Sequence, residues 1–198
     1  MWHLRSWVNE PYAYMEKAFS DEECEEIIKL GTEVFEKTRA VTFNVHNQNE
    51  EQRNKIRRSD VSWFYSDREE THWVYRKCVD CIEAINSKFF GFDLYVLETL
   101  QFTKYIFNDG AGGMYAKHCD SGYDNSVARK LSFSVQLSDP EDYEGGELLL
   151  YNAAEPARPP NKRGTINFFP SFTLHEVTPV TKGTRYSLVG WVNGPKFR

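Results

Sequence analysis

His118, Cys119 and Asp120 set an imidazole and a carboxylate two residues apart. In an extended strand, residues i and i+2 face the same side, so His118 and Asp120 converge while Cys119 faces away. A second histidine, His175, lies in Thr173-Leu174-His175-Glu176-Val177, just after Pro170. Two imidazoles and one carboxylate are the facial donor set that holds Fe(II) and leaves three coordination positions open. Ten residues beyond His175, Arg185 opens the stretch Arg185-Tyr186-Ser187-Leu188-Val189-Gly190-Trp191. A period of two places Arg185, Ser187, Val189 and Trp191 on one face, the face of the metal donors. A buried arginine needs an anion, and its flat guanidinium suits a carboxylate through two parallel bonds. If the protein supplies no acid there, a bound dicarboxylate is the natural partner. The remaining histidines are His3 at the terminus, His46 in a polar stretch and His72 opening a helix; none has a partner at ligand spacing.

The elements that must position these groups divide the chain. Ser20-Asp21-Glu22-Glu23 has the pattern of a capping box and precedes an apolar stripe (Cys24, Ile27, Ile28, Val34, Phe35) at helical period. A helix is expected over 20–38, with Gly31 a weak spot, and a second over 68–88. The polar stretch 44–55 has no period and reads as a surface loop or a mobile lid. From residue 92 onward short strands alternate with turn signals, over 94–107, 114–118, 130–137, 147–151, 164–169, 173–177 and 184–192. This predicts helices packed on one sheet of a two-sheet β core. Cys78 and Cys81 form a C-x-x-C, but they fall in a helical apolar set (Val74, Cys78, Cys81, Ile82, Ile85, Phe89). They are therefore expected to be core thiols and not a redox or zinc pair. No disulfide framework is indicated.

Composition sets the class. The 198 residues suit one domain, and 40% hydrophobic with 15% aromatic residues excludes intrinsic disorder. The net charge of −5 argues against nucleic-acid binding, which depends on cationic contacts to phosphates. No apolar run approaches the roughly 18 residues of a membrane span, and the first residues lack the apolar centre of a signal peptide. A cytoplasmic location is expected. The sequence carries no signal for oligomeric state, and a monomer is taken.

The chain resembles the Fe(II)- and 2-oxoglutarate-dependent dioxygenases of the prolyl 4-hydroxylase type, over about 55–194. The likeness is densest from Tyr105 to Asp120, ending Gly113-Met114-Tyr115-Ala116-Lys117-His118-Cys119-Asp120, and from Phe168-Phe169-Pro170 to Trp191. Leu137-Ser138-Asp139-Pro140-Glu141-Asp142-Tyr143-Glu144-Gly145-Gly146-Glu147-Leu148 resembles the family's strand–turn–strand link. The resemblance implies an α+β fold, a double-stranded β-helix (jelly roll) over 91–198 supported by N-terminal helices and a lid loop within 1–90, all one oxygenase domain over 1–198. It implies that His118, Asp120 and His175 hold Fe(II). Arg185 then pairs with the far carboxylate of 2-oxoglutarate, with Tyr105 and Ser187 beside it. Tyr115, Arg129 and Trp191 match positions around the substrate proline; strict alternation sets Tyr115 opposite His118, so that role requires a local bend. The segment 44–58 matches a loop that closes over the peptide.

The chemistry implied is hydroxylation of a proline in a protein or peptide, consuming O2 and releasing succinate and CO2, with ascorbate as reductant. Phe102, Tyr105, Phe107, Tyr115, Phe168, Phe169 and Trp191 could keep such a pocket dry, at least half of them being ordinary core. Asp120 favours hydroxylation over halogenation, which needs a small residue at that place. Other amino-acid side chains and free amino acids stay open as substrates. A nucleic-acid demethylase fits the charge less well. A jelly roll that only binds protein would be expected to break the triad or lack the anion partner, and neither break is present.

Overall fold

A computed structural model describes residues 11–35, 38–39, 49–108, 110–121 and 128–195. Strand β1 (Ala13–Met15) leads into helix α1 (Asp21–Lys29), whose start is the expected capping box. The Glu23 amide donates to Ser20 Oγ at 3.2 Å and the Ser20 amide donates to the Glu23 carboxylate at 2.7 Å. The helix widens into a π turn over Leu30–Val34 and stops at Phe35, short of the expected end. Thr32 Oγ1 donates to the Ile28 carbonyl at 2.7 Å, which loosens the helical ladder at this point. Gly31 has a packing reason: a Cβ there would lie 2.3 Å from the Phe102 ring.

Helix α2 (Glu50–Ile56) is an element that the apolar period could not reveal. Its polar sequence is set by an Asn49/Gln52 capping box, with reciprocal bonds of 2.9 and 3.0 Å. The expected loop over 49–55 is thus a capped helix; residues 44–48, and with them His46, lie outside the described residues, as does His3. Helix α3 (His72–Ile85), flanked by turns over Glu69–Thr71 and Asn86–Phe90, fills the second expected span. It buries Val74, Cys78, Cys81, Ile82 and Ile85, as its spacing predicts. All four cysteines are free, and burial pushes the Cys78 thiol far above its ordinary range, away from thiolate chemistry.

The other strands are β2 (Thr38–Arg39), β3 (Arg57–Arg58), β4 (Asp60–Phe64), β5 (Val96–Leu97), β6 (Leu100–Asn108), β7 (Ala111–Gly112) and β8 (Met114–His118). They continue as β9 (Arg129–Gln136), β10 (Tyr143–Gly145), β11 (Leu148–Tyr151), β12 (Ile166–Pro170), β13 (Leu174–Val177) and β14 (Val180–Asn193). Among the described residues the larger sheet runs β1-β12-β9-β14-β6-β4-β2, with β5 and β10 on β14 and β7 on β6; the smaller runs β11-β13-β8-β3. Each strand pair is antiparallel, and the two sheets are the walls of a double-stranded β-helix. The strands β1 to β4, β7 and β10 are too short or too polar to carry a readable alternation.

Alternation sorts the larger sheet into two faces. Leu100, Phe102, Leu131, Phe133, Val135, Ile166, Phe168 and Leu188 pack with Cys24, Ile27, Val74, Cys78 and Ile82 of the helices. This is the expected helix-on-sheet layer, and it holds most of the buried apolar side chains. The opposite face carries Gln101, Tyr105, Ser132, Ser134, Arg185, Ser187, Val189 and Trp191 and looks toward the smaller sheet. Among the described residues no helix is long and apolar enough to cross a membrane.

Candidate active site

β8 and β13 lie side by side in the smaller sheet with His118 opposite His175. Asp120 follows β8 directly and is fixed by the backbone: its amide and that of Ser121 donate to the Ser171 carbonyl at 2.9 and 3.0 Å. The donor atoms of His118, Asp120 and His175 all lie within 4.8 Å of one another. Each Nε2 is 3.6 Å from one oxygen of the Asp120 carboxylate.

The tautomers are decided by hydrogen bonds. His118 Nδ1 sits 2.8 Å from the Ala116 carbonyl and His175 Nδ1 2.9 Å from the Thr173 carbonyl. A carbonyl only accepts, so each Nδ1 carries the proton and each Nε2 lone pair faces the common centre. Ser132 Oγ donates to Asp120 Oδ2 at 2.7 Å and lies 2.9 Å from Ser171 Oγ. Burial first, and the neighbouring His175 next, lower His118 from 6.5 to about 4, so its imidazole is neutral near pH 7. Burial alone would raise Asp120, but the two imidazoles and the Ser132 hydroxyl outweigh it and hold the carboxyl below its ordinary value. Two imidazole nitrogens and one carboxylate, aimed at one point and largely shielded from water, could hold a divalent metal ion.

These groups open on a cavity of about 210 Å³ between the sheets. Its wall includes Arg185, Ser187, Val189 and Trp191, the face that a period of two predicted on β14. Arg185 is 4% exposed, stands opposite Tyr105 in the β14–β6 register and lies 5.5 Å from the Tyr105 ring centroid. Its Nη1 is buried without a hydrogen-bond partner. Such an orphaned cationic donor calls for an anion.

Trp191 faces the same cavity, with Arg129 stacked on its ring at 4.1 Å. Tyr115 also lines it, so His118, Asp120, His175, Arg185, Tyr105, Ser187, Tyr115, Arg129 and Trp191 are brought to one place. Of the seven aromatics expected to dry the pocket, Tyr105, Tyr115, Phe169 and Trp191 do so; Phe102 and Phe168 face the helices and Phe107 is exposed.

Residues 100–193 match the family model of the 2OG-Fe(II) oxygenase superfamily. The match spans just under half of the chain. A PKHD-type hydroxylase of Picosynechococcus sp. is 41% identical over 96 residues, covering 48% of this chain and 42% of that protein. The chain thus spans about two-fifths of the length of the curated relatives it matches. In fold, the chain resembles the viral collagen prolyl hydroxylase of Paramecium bursaria Chlorella virus-1, solved with 2OG (TM-score 0.69, 22% identity, 94% of this chain and 97% of that one). It also resembles a Trichoplax adhaerens prolyl hydroxylase in complex with a hypoxia inducible factor peptide fragment (TM-score 0.69, 20% identity, 93% and 84%).

The donor set fits Fe(II), and the orphaned Arg185 Nη1 fits the second carboxylate of 2-oxoglutarate. Several residues of the site escaped sequence reasoning. Ser132 and Ser171 brace Asp120. Glu98 holds Arg129 through bonds of 2.8 and 2.6 Å and accepts from Asn193 Nδ2 at 3.0 Å. Arg57, Trp63 and Gln101 join the cavity wall. None carries a local signal, because each reaches the site by pairing with a strand remote in sequence.

Proposed function

We propose that the protein is an Fe(II)- and 2-oxoglutarate-dependent hydroxylase acting on a proline in a protein or peptide. The observation that carries this reading is the buried, unpartnered Arg185 Nη1 in the same cavity as the His118–Asp120–His175 set. His118 Nε2, His175 Nε2 and the Asp120 carboxylate would hold the metal, and Arg185 the distal carboxylate of 2-oxoglutarate, with Tyr105 and Ser187 beside it. When bound, Fe(II) and 2-oxoglutarate supply O2 activation and removal of hydrogen from a C–H bond, yielding succinate, CO2 and the hydroxylated product.

The chain's own residues orient and shield. The Ala116 and Thr173 carbonyls keep both Nε2 lone pairs inward. Ser132 keeps one Asp120 oxygen occupied, which fixes the carboxylate's direction. Phe169, whose ring centroid is 4.7 Å from that of His175, and Val177 form a dry flank. Burial raises the Tyr115 hydroxyl above its ordinary value, so it stays a hydrogen-bond donor toward substrate. Tyr115, Arg129 and Trp191 line the substrate side in this reading, the helices over 1–90 support the jelly roll over 91–198, ascorbate serves as reductant, and the location is cytoplasmic.

Succinate formation from 2-oxoglutarate, with Fe(II) and ascorbate, in air and without oxygen, tests the proposal against proline-containing peptides. Iron- and oxygen-dependent succinate, raised by a peptide that gains one oxygen in mass, is the expected result. Succinate that no peptide raises would remove the proline assignment. Its absence from iron-loaded protein would remove the oxygenase activity.

A further inference from the structure

Arg57 follows α2 and pairs with Tyr115 across β3 and β8, which carries its side chain into the cavity wall. Its guanidinium lies 4.5 Å from the Tyr115 ring centroid, and the other ring neighbour of Tyr115 is His118 at 3.6 Å. Arg57 and His118 thus both lie against the Tyr115 ring, which sets Arg57 close to the metal donors. Arg57 is only 9% exposed. Its Nε donates to Ser59 Oγ at 2.9 Å, and no carboxylate among the described residues forms an ion pair with it.

The other charges of the cavity are answered. Glu98 neutralises Arg129. Under the function proposed above, the metal, Asp120, 2-oxoglutarate and Arg185 balance among themselves. Asp120 is the only acidic side chain among the described residues that line the cavity, against three arginines. Among the described residues one buried positive charge is left over, that of Arg57. Nε donates to Ser59, and no hydrogen bond from either Nη to a described residue accompanies it, so the Nη pair offers a flat, two-bond face, the geometry that suits a carboxylate.

We propose that Arg57 is a specificity residue that receives a carboxylate of the substrate, within one residue of the oxidised carbon. The carboxylate belongs either to an acidic side chain or to a chain terminus. This inference rests on the peptide-hydroxylase reading and deepens it: the preferred substrate is acidic where the pocket is cationic.

Three N-terminally capped peptides, each with one proline and the first two also capped at the C-terminus, test this. One has Asp next to the proline; one has Asn there; the third keeps Asn but ends at it with a free carboxylate. Binding is measured by calorimetry without oxygen, with Fe(II) and 2-oxoglutarate present, and KM is measured by succinate formation in air. The Asp peptide is expected to bind at least roughly tenfold more tightly than its Asn twin, as expected for a charge-assisted pair replacing a neutral one. An advantage confined to the third peptide assigns the carboxylate to the chain terminus. Arg57→Gln should bring the ratio to about one. Arg57→Lys, which keeps the charge without the flat two-bond face, should leave an intermediate ratio and carries the test if Arg57→Gln fails to fold. A wild-type ratio near one in both comparisons, or a ratio that survives Arg57→Gln, overturns the assignment. If no peptide binds or raises succinate, the peptide-hydroxylase reading falls and takes this inference with it. Turnover without carboxylate preference removes the Arg57 role alone.

Discussion

The ring of Tyr115 lies against the imidazole of His118, with centroids 3.6 Å apart and planes 20° from parallel. On a regular strand, residues three apart face opposite sides, so this contact needs an irregularity. The β8–β13 register supplies it: His118 pairs with His175, whereas Tyr115 pairs with Val177. Three steps on β8 oppose two on β13, a β-bulge that turns Tyr115 to the metal side. The local bend that the substrate role of Tyr115 required is present. It also gives Arg57 its seat, against the same ring.

Arg185→Ala should weaken 2-oxoglutarate binding by about 3 kcal/mol or more, roughly two orders of magnitude in Kd, because a buried carboxylate then loses its partner. Calorimetry on the metal-loaded protein measures this. Arg185→Lys should recover part of the loss. An unchanged Kd for the alanine variant would show that another side chain holds the carboxylate.

Ser132→Ala deletes the hydrogen bond to Asp120 Oδ2 without touching a donor atom. Loss of such a brace costs about 10- to 100-fold in metal affinity. A competition titration with a chelator reads the affinity directly, and Ser132→Thr, which keeps a hydroxyl, should fall between alanine and wild type. Equal affinities in all three would leave Asp120 positioned by the backbone bonds to Ser171 alone.

Metal-free protein should lose stability as the pH falls through the range of His118. Its folded value is lowered to about 4 from 6.5, mainly by burial. Between those values the unfolded chain binds the proton and the folded one does not. The stability contributed is therefore complete above pH 6.5 and lost on acidification toward pH 4, on the order of 3 kcal/mol. Asp120, also lowered, adds a further loss as the pH falls below 3.8. Urea melts between pH 7.5 and 4.5 follow the first window, and His118→Asn should flatten the slope.

Gly31→Ala separates local preference from packing. Alanine is the better helix former by about 1 kcal/mol, yet its Cβ would lie 2.3 Å from the Phe102 ring. Overpacking of this kind costs about 1–3 kcal/mol. A net destabilisation of up to about 2 kcal/mol in urea melts is expected; a stabilised variant would show that the Phe102 ring can step aside.

The sequence by itself determined which groups could do chemistry and which side of a strand each would face. His118, Asp120, His175 and the Arg185–Trp191 stripe were legible because a period of two fixes side-chain direction locally, whatever the strand pairs with. The core cysteines of α3 were legible for the same reason at the helical period. Tertiary structure alone decided the rest, because it depends on which remote strands become neighbours and in what register. The bulge that turns Tyr115 arises only where β8 meets β13. The brace from Ser132 to Asp120 joins β9 to the end of β8, and the Glu98–Arg129 pair joins the β5–β6 connection to β9. Arg57, in a polar stretch without period, becomes a cavity cation only because β3 pairs with β8. Periodicity is a property of one segment, whereas register and burial are properties of two segments brought together, so no single stretch of the chain encodes them.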